Sequence, residues 1–170
     1  MPNIKIVDPV KANVITSLET LSSRGNIYIV SVGIILIPKG DYLALSISNP
    51  IGSGKILSLG NICVSSVVQS SFLIYRNLPF VGGTDIIPRN GNNKFGDNCA
   101  ATAEYKILTS EPTGGSEVLI GGFIQESGVT IYPCDGNVQI APNTSITCLA
   151  HNMSTVNDGY IGLNIVLIES

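Results

Sequence analysis

Hydrophobic positions along this chain recur with the period of β-strands. Residues 27–37 read IYIVSVGIILI, a continuous and largely β-branched run that predicts a central strand or a strand buried on both faces. After the turn PKGD, the segment YLALSIS alternates, with Leu43, Leu45 and Ile47 on one face. The two runs therefore predict two strands, joined by this turn, that differ in their pattern of apolar residues.

A break in this alternation predicts a β-bulge. In KILSLGNICVSSVV, Leu57 and Leu59 share one face, whereas Ile62 and Val64 have the opposite parity. One extra residue at Gly60 or Asn61 would restore the register, as happens where strands bend between sheets.

Further short strands follow about every 8 to 14 residues, with no sustained helical period. They are SFLIYRNL, TAEYKIL, EVLIGGFI, GVTIYP, NVQIA, TSITCLAH and YIGLNIVLIE. This pattern predicts an all-β fold, a single-domain antiparallel β-sandwich of the jelly-roll type over residues 26–170. Residues 79–101, rich in Gly and Asn, interrupt it as a long loop, a kind of segment that is often functional.

Residues 1–25 are predicted to be an N-terminal arm or first strand. Within them, residues 8–25 admit two readings. Asp8, Pro9 and Gly25 suit the ends of a helix, but Val14, Ile15 and Thr16 are consecutive β-branched residues that prefer strands. We favour an extended conformation and keep the helix as the alternative.

The composition points away from several classes of function. Charged residues are 12% of the chain, against about 25% in ordinary soluble domains. The net charge is −3 and the nine Lys and Arg are scattered, so we expect no nucleic-acid partner. No apolar run reaches the ~20 residues of a membrane-spanning helix. A neutral polar surface repels copies of itself weakly and suits packed assemblies.

No segment carries a catalytic signature. The glycine-rich stretch NPIGSGK begins with Asn49, where a phosphate loop needs glycine, and is followed by Ile56, where such a loop needs Ser or Thr. The stretch therefore indicates a turn. The chain's single histidine, His151, would have to serve any Ser-His or Cys-His site, and no nucleophile motif accompanies it. We therefore expect neither an enzyme nor a cofactor.

The cysteines leave three interpretations open. Cys63, Cys99, Cys134 and Cys148 contain no C-x-x-C pair, which disfavours zinc. Disulfides, within or between chains, are the favoured interpretation, and buried free thiols are the alternative.

The two ends of the chain have features of assembly devices. Residues Asn3, Ile4, Lys5, Ile6 and Val7 are β-prone and precede a break at Asp8 and Pro9, so they are predicted to pair with a neighbouring subunit or within their own sandwich. In the terminal strand, Ile161, Leu163, Ile165 and Leu167 should fill the core. The opposite face carries Tyr160, Val166 and Ile168, where a monomer would favour polar residues.

Four stretches carry a resemblance to known proteins: NPIGSGKILSLGNI, GGTDIIPRNGNN, IAPNTSITCLAHNMS and GYIGLNIVLIES. Together they resemble small jelly-roll proteins of phage virions and of bacterial surface fibres, such as the endospore appendage subunits of Bacillus relatives. The resemblance implies assembly by an N-terminal arm, partly through disulfides. Residues 1–21 contain no cysteine, however, so covalent locking by the arm is not implied here.

These observations predict a non-catalytic structural subunit that self-assembles into an extracellular fibre or virion surface layer. The first residues lack a signal peptide, so export by lysis or another route is expected. The alternative function is a module that binds a glycan or a receptor through residues 79–101.

Overall fold

Alternation of apolar and polar residues sorts the strands into two antiparallel sheets that pack face to face. The computed structural model describes residues 20–114 and 118–170. Of these residues, 56% lie in strands and 3% in helix, which confirms the predicted all-β sandwich. The strands are β1 (Ile27–Ile37), β2 (Tyr42–Asn49), β3 (Leu57–Ser66), β4 (Ser70–Arg76), β5 (Thr84–Ile86), β6 (Arg89–Asn90), β7 (Thr102–Leu108), β8 (Val118–Ile124), β9 (Gly128–Pro133), β10 (Gln139–Ile140), β11 (Thr144–Asn152) and β12 (Gly159–Glu169).

The two sheets interleave along the chain. Sheet A has the order β10-β3-β12-β1-β6, with β9 also paired to β3, and sheet B has the order β5-β7-β2-β11-β4-β8. Strands β1 to β4 alternate between sheets A and B, and the last long strands, β8, β9, β11 and β12, do the same in reverse order. Successive strands within each of these two sets therefore lie in opposite sheets.

The core lies between the sheets and is filled by the predicted faces. Leu43, Leu45 and Ile47 from sheet B are 0% exposed, as are Leu163 and Ile165 from sheet A. Burial of each such side chain contributes about 1.5–3 kcal/mol to folding.

Two bulges shape sheet A. The first lies at Gly60 and Asn61, because Ile165 pairs with Ile62 while Leu167 pairs with Leu59. This confirms the predicted bulge. The second interrupts β1 between Ser31 and Ile34, where Gly33 has a φ of +70° that favours glycine.

The described end of the N-terminal segment is helical. Residues 20–23 form a helical turn, which Gly25 ends with a φ of +75°. Asn26 N donates to Leu21 O (3.0 Å) and Gly25 N to Ser22 O (3.1 Å), the two hydrogen bonds of a Schellman motif. The extended conformation is therefore wrong for residues 20–23. Residues 1–19, with the predicted arm, lie outside the described residues.

Residues 79–101 are not the continuous loop that their composition predicts. Strand β5 pairs with β7 at the edge of sheet B, and β6 pairs with β1 at the edge of sheet A. The Asp97 carboxylate accepts hydrogen bonds from the Asn90 backbone N–H (2.7 Å) and from the Arg89 guanidinium (2.6 Å). These contacts hold the segment against one side of the sandwich.

Candidate functional site

The outer surface of sheet A is the most unusual surface of the described chain. Leu163 and Ile165 of β12 point into the core, so the residues that alternate with them along β12 point outward. The residues of β1 and β3 that pair with these outward residues also point outward. We call this surface the A face. It comprises Ile27, Ile29, Ser31, Ile34, Leu36, Asn61, Cys63, Ser65, Val129, Ile131, Tyr160, Gly162, Asn164, Val166 and Ile168.

Strand pairing brings these side chains together in rows across four strands. In one row, Ile131 of β9 lies opposite Cys63 of β3, which lies opposite Asn164 of β12. The adjacent row runs from Val129 through Ser65 and Gly162 to Ile34. A Cβ on Gly162 would lie 2.9 Å from the Gly33 carbonyl oxygen, so glycine permits the close approach of β1 at its bulge.

Large aliphatic side chains on the A face are exposed to solvent. Ile34 is 74% exposed, Val129 64% and Ile131 61%. Tyr160 is 51% exposed, and Val166 and Ile168 are half-buried beside it. Single exposed apolar residues are ordinary, but a contiguous group of them marks an interaction surface.

The A face carries no charged side chain within the described residues. Strands β1, β3 and β9 contain no Asp, Glu, Lys or Arg. On β12 the single acidic residue, Glu169, is buried and accepts a hydrogen bond from the Ala100 backbone N–H (2.7 Å). Charge begins at the border, with the ion pair of Arg89 and Asp97 and with the exposed Asp135 beyond β9.

The polar groups in the middle of the A face bond to one another. The Ser31 hydroxyl donates to Asn164 Oδ1 (2.5 Å), and the Gly33 backbone N–H donates to the Ser31 hydroxyl oxygen (3.1 Å). Covering the surface would therefore leave the Ser31 hydroxyl and Asn164 Oδ1 with a partner, which lowers the cost of burying these two groups.

One end of the A face continues into a groove. A cavity of about 410 Å³ is lined there by Leu21, Ile27, Asn61, Gly136, Val166 and Ile168, and also by the charged Asp135. The N-terminal segment, residues 1–19, thus joins the described chain beside the A face.

The outer surface of sheet B, the B face, is covered in part by the chain itself. Leu78 lies on it and is only 1% exposed, and its carbonyl oxygen accepts a hydrogen bond from the Thr147 hydroxyl (2.7 Å). The Lys106 ammonium donates to the Val81 carbonyl (2.5 Å), and the Glu104 carboxylate accepts from the Gly83 N–H (3.1 Å). The B face thus has both a cover and charges.

The three residues predicted on the outward side of the terminal strand, Tyr160, Val166 and Ile168, all lie on the A face. The sequence pattern did not identify Ile34, Val129 and Ile131, which are more exposed than those three residues. The pattern also predicted that β1 is central or buried on both faces, whereas one face of β1 is exposed in the structure. A signal was present: the segments IYIVSVGIILI and GVTIYP are entirely uncharged.

The favoured interpretation of the cysteines as disulfides is wrong for pairs within one chain. All four are free, and no two lie at disulfide distance. Burial and the nearby Glu169 raise the pKa of Cys99 to about 11, and burial raises the pKa of Cys148 to about 12. Both thiols are therefore protonated at neutral pH and are weak nucleophiles. Cys134 is buried, whereas Cys63 lies on the A face.

Other candidate chemistry is sparse in the described residues. His151 stacks on Tyr42, with ring centroids 4.2 Å apart and planes 9° from parallel. Residues 20–114 and 118–170 contain no group of three or more His, Cys, Asp or Glu placed to hold a metal ion. No helix in the same residues is long and apolar enough to cross a membrane.

Comparison of the chain with protein-family models, with curated proteins and with solved structures finds no match. The function is therefore inferred from the surface chemistry of this chain.

Proposed function

We propose that this protein is a non-catalytic structural subunit that self-assembles into an extracellular fibre or a virion surface layer. The observation that carries the proposal is the A face, an uncharged surface on which exposed aliphatic side chains surround a few neutral polar groups, on a chain whose charged fraction is 12%. Monomeric proteins rarely leave a large patch of this kind open to water, because covering it with a partner is favourable.

The strand order supports a jelly-roll classification of the sandwich. Sheet A contains the run β1-β12-β3-β9, and sheet B contains β2-β11-β4-β8. Eight strands shared in this way between two sheets correspond to the two Greek keys of a jelly roll. The fold presents two broad outer faces, which suits a subunit that packs against others.

In this proposal residues 3–7 act as the donated arm. Residues 1–19 join the sandwich beside the A face, and the edge strand β9 contains no charged residue that would discourage pairing with another strand. A strand from a neighbouring subunit can therefore extend a sheet by backbone hydrogen bonds. Free Cys63, which lies on the A face, is the cysteine best placed for a contact between chains.

Electron microscopy of the purified full chain in negative stain tests the proposal. Filaments, shells or other regular particles are the expected result, and deletion of residues 1–7 is expected to leave a folded protein that no longer forms them. A full-length chain that stays monomeric at every concentration would contradict the proposal. Such a monomer, if it bound a glycan array, would instead support a binding module that uses residues 79–101.

A further inference from the structure

We infer that the A face is a two-fold contact between two copies of this chain, packed sheet against sheet. The inference rests on the proposed self-assembly and adds the surface, the partner and the symmetry. In a two-fold contact the same patch serves both subunits, so the surface must be complementary to itself.

The absence of charge is what makes the A face complementary to itself. In a two-fold contact, residues near the axis meet their own copies, and any charged residue there would face a like charge. Across β1, β3, β9 and the outward positions of β12, the chain has no such residue. The B face differs in this respect, because Glu104 and Lys106 point outward from it.

The size of the A face fits a stable contact. Strands β1, β3 and β12 have 11, 10 and 11 residues and β9 has 6. At about 3.3 Å per residue and about 4.8 Å between strands, the four cover roughly 600 Å². Specific interfaces bury about 600–1,000 Å² on each partner. The A face alone reaches the lower end of this range, and the groove beside Leu21 extends it.

The shape and chemistry favour a second copy over the chain's own N-terminal segment. A four-stranded face can be matched by another sheet, since packed sheets lie about 10 Å apart with interdigitating side chains. Residues 1–19 include Lys5, Asp8, Lys11 and Glu19. Laying them along the A face would bring charges next to the exposed side chains of Ile34 and Ile131.

Sedimentation of the full chain over a range of concentrations, with three matched variants, tests this inference. Ile131→Lys and Ile34→Lys place a charge on the A face, whereas Ile51→Lys makes the same change at an 80% exposed position in the turn before β3. Burying an unpaired charge in the contact should weaken pairing by about 100-fold or more for the first two variants. The third should pair like the unmodified chain.

Labelling of Cys63 gives a readout that needs no variant. Mass spectrometry after brief alkylation should show that Cys63 reacts roughly tenfold more slowly in the paired state than in the dilute monomer. Buried Cys148 serves as the internal reference, since it is 2% exposed within a single chain.

Three results would overturn the inference. If the chain associates but both A-face variants pair normally, the contact lies elsewhere and the proposed self-assembly survives. If the unmodified chain is monomeric throughout, both proposals fail. If Cys63 reacts at one rate at every concentration, no second copy covers the A face, and a slow constant rate identifies the N-terminal segment as the cover. The labelling result decides the matter if the lysine variants do not fold.

Discussion

The A face and the B face are the outer surfaces of two sheets that share one core, and their apolar side chains differ in exposure to solvent. On the B face, Leu78 lies over the strands and is held by the Thr147 hydroxyl. On the A face, Ile34 and Ile131 have no such cover within the described residues and remain more than 60% exposed. The chain thus covers part of one sheet itself and leaves the outer surface of the other sheet open.

This difference separates two roles that apolar surface residues can have. Residues under the B-face cover contribute to the folding of one chain, because they are buried whenever the chain is folded. Residues of the A face gain burial only when something binds over them. Substitutions on the two faces should therefore affect different equilibria, and the following predictions test that separation.

The largest expected effect on folding comes from Leu78→Ala. Removing this buried side chain should lower the free energy of unfolding by about 2–5 kcal/mol, through lost transfer energy and a residual cavity. Leu36→Ala, the same change at a 47% exposed position of the A face, should cost about 1 kcal/mol or less in dilute monomer. Urea unfolding of both variants measures this, and equal losses would contradict the distinction.

Thr147→Val should lower the free energy of unfolding by about 1–3 kcal/mol. The Thr147 hydroxyl is 0% exposed and donates to the Leu78 carbonyl oxygen at 2.7 Å, so valine leaves that carbonyl without its partner. Thr102→Val, at an exposed position of β7, is the control and should change stability little. Thermal unfolding compares the two. A loss no larger than that of the control would mean that the hydroxyl does not hold the cover.

Association through the A face should respond weakly to salt. Since the face has no ion pair to screen, raising NaCl from about 50 mM to about 500 mM should change the dissociation constant less than about threefold. Sedimentation at several salt concentrations measures this. Strong weakening by salt would show that charged groups, and hence another surface, form the contact.

The smallest expected effect concerns the charged border of the A face. Hydrogen bonds from Arg89 and from the Asn90 backbone N–H lower the pKa of Asp97 below its usual 3.8. The stability that these hydrogen bonds add by favouring the ionised Asp97 carboxylate is therefore complete above pH 3.8, and it is lost as the pH falls through the lowered pKa of Asp97. Asp97→Asn should flatten the pH dependence of the unfolding midpoint in this acidic range. An unchanged profile would mean that the ion pair does not contribute.

Much of the fold could be predicted from local pattern. The bounds of β1, β7 and β9 follow from runs of apolar or alternating residues, and the bulge at Gly60 and Asn61 follows from a change of parity. Strands β5 and β6 could not be predicted, because they contain three and two residues and exist only through pairing with distant strands. Local sequence does not encode such partners.

The A face could be predicted only in part. Alternation in β12 identified Tyr160, Val166 and Ile168 because their neighbours fill the core. In β1 both faces are apolar, so periodicity cannot distinguish core from surface, and the exposed Ile34 was missed. Disulfide pairing could not be predicted from the sequence either, because it depends on where the packing of the two sheets places each thiol. Cys63 faces outward from sheet A, whereas Cys148 is buried in the core.

Hydroxyl-radical footprinting of the full chain tests the central claim most directly, because it reports the exposure of side chains on both faces at once. With increasing protein concentration, oxidation of Ile34, Val129, Ile131 and Tyr160 should slow together. Oxidation of Phe123, an exposed residue of sheet B, should stay constant. Oxidation of the A-face residues at the same rate in dilute and concentrated protein would contradict the account.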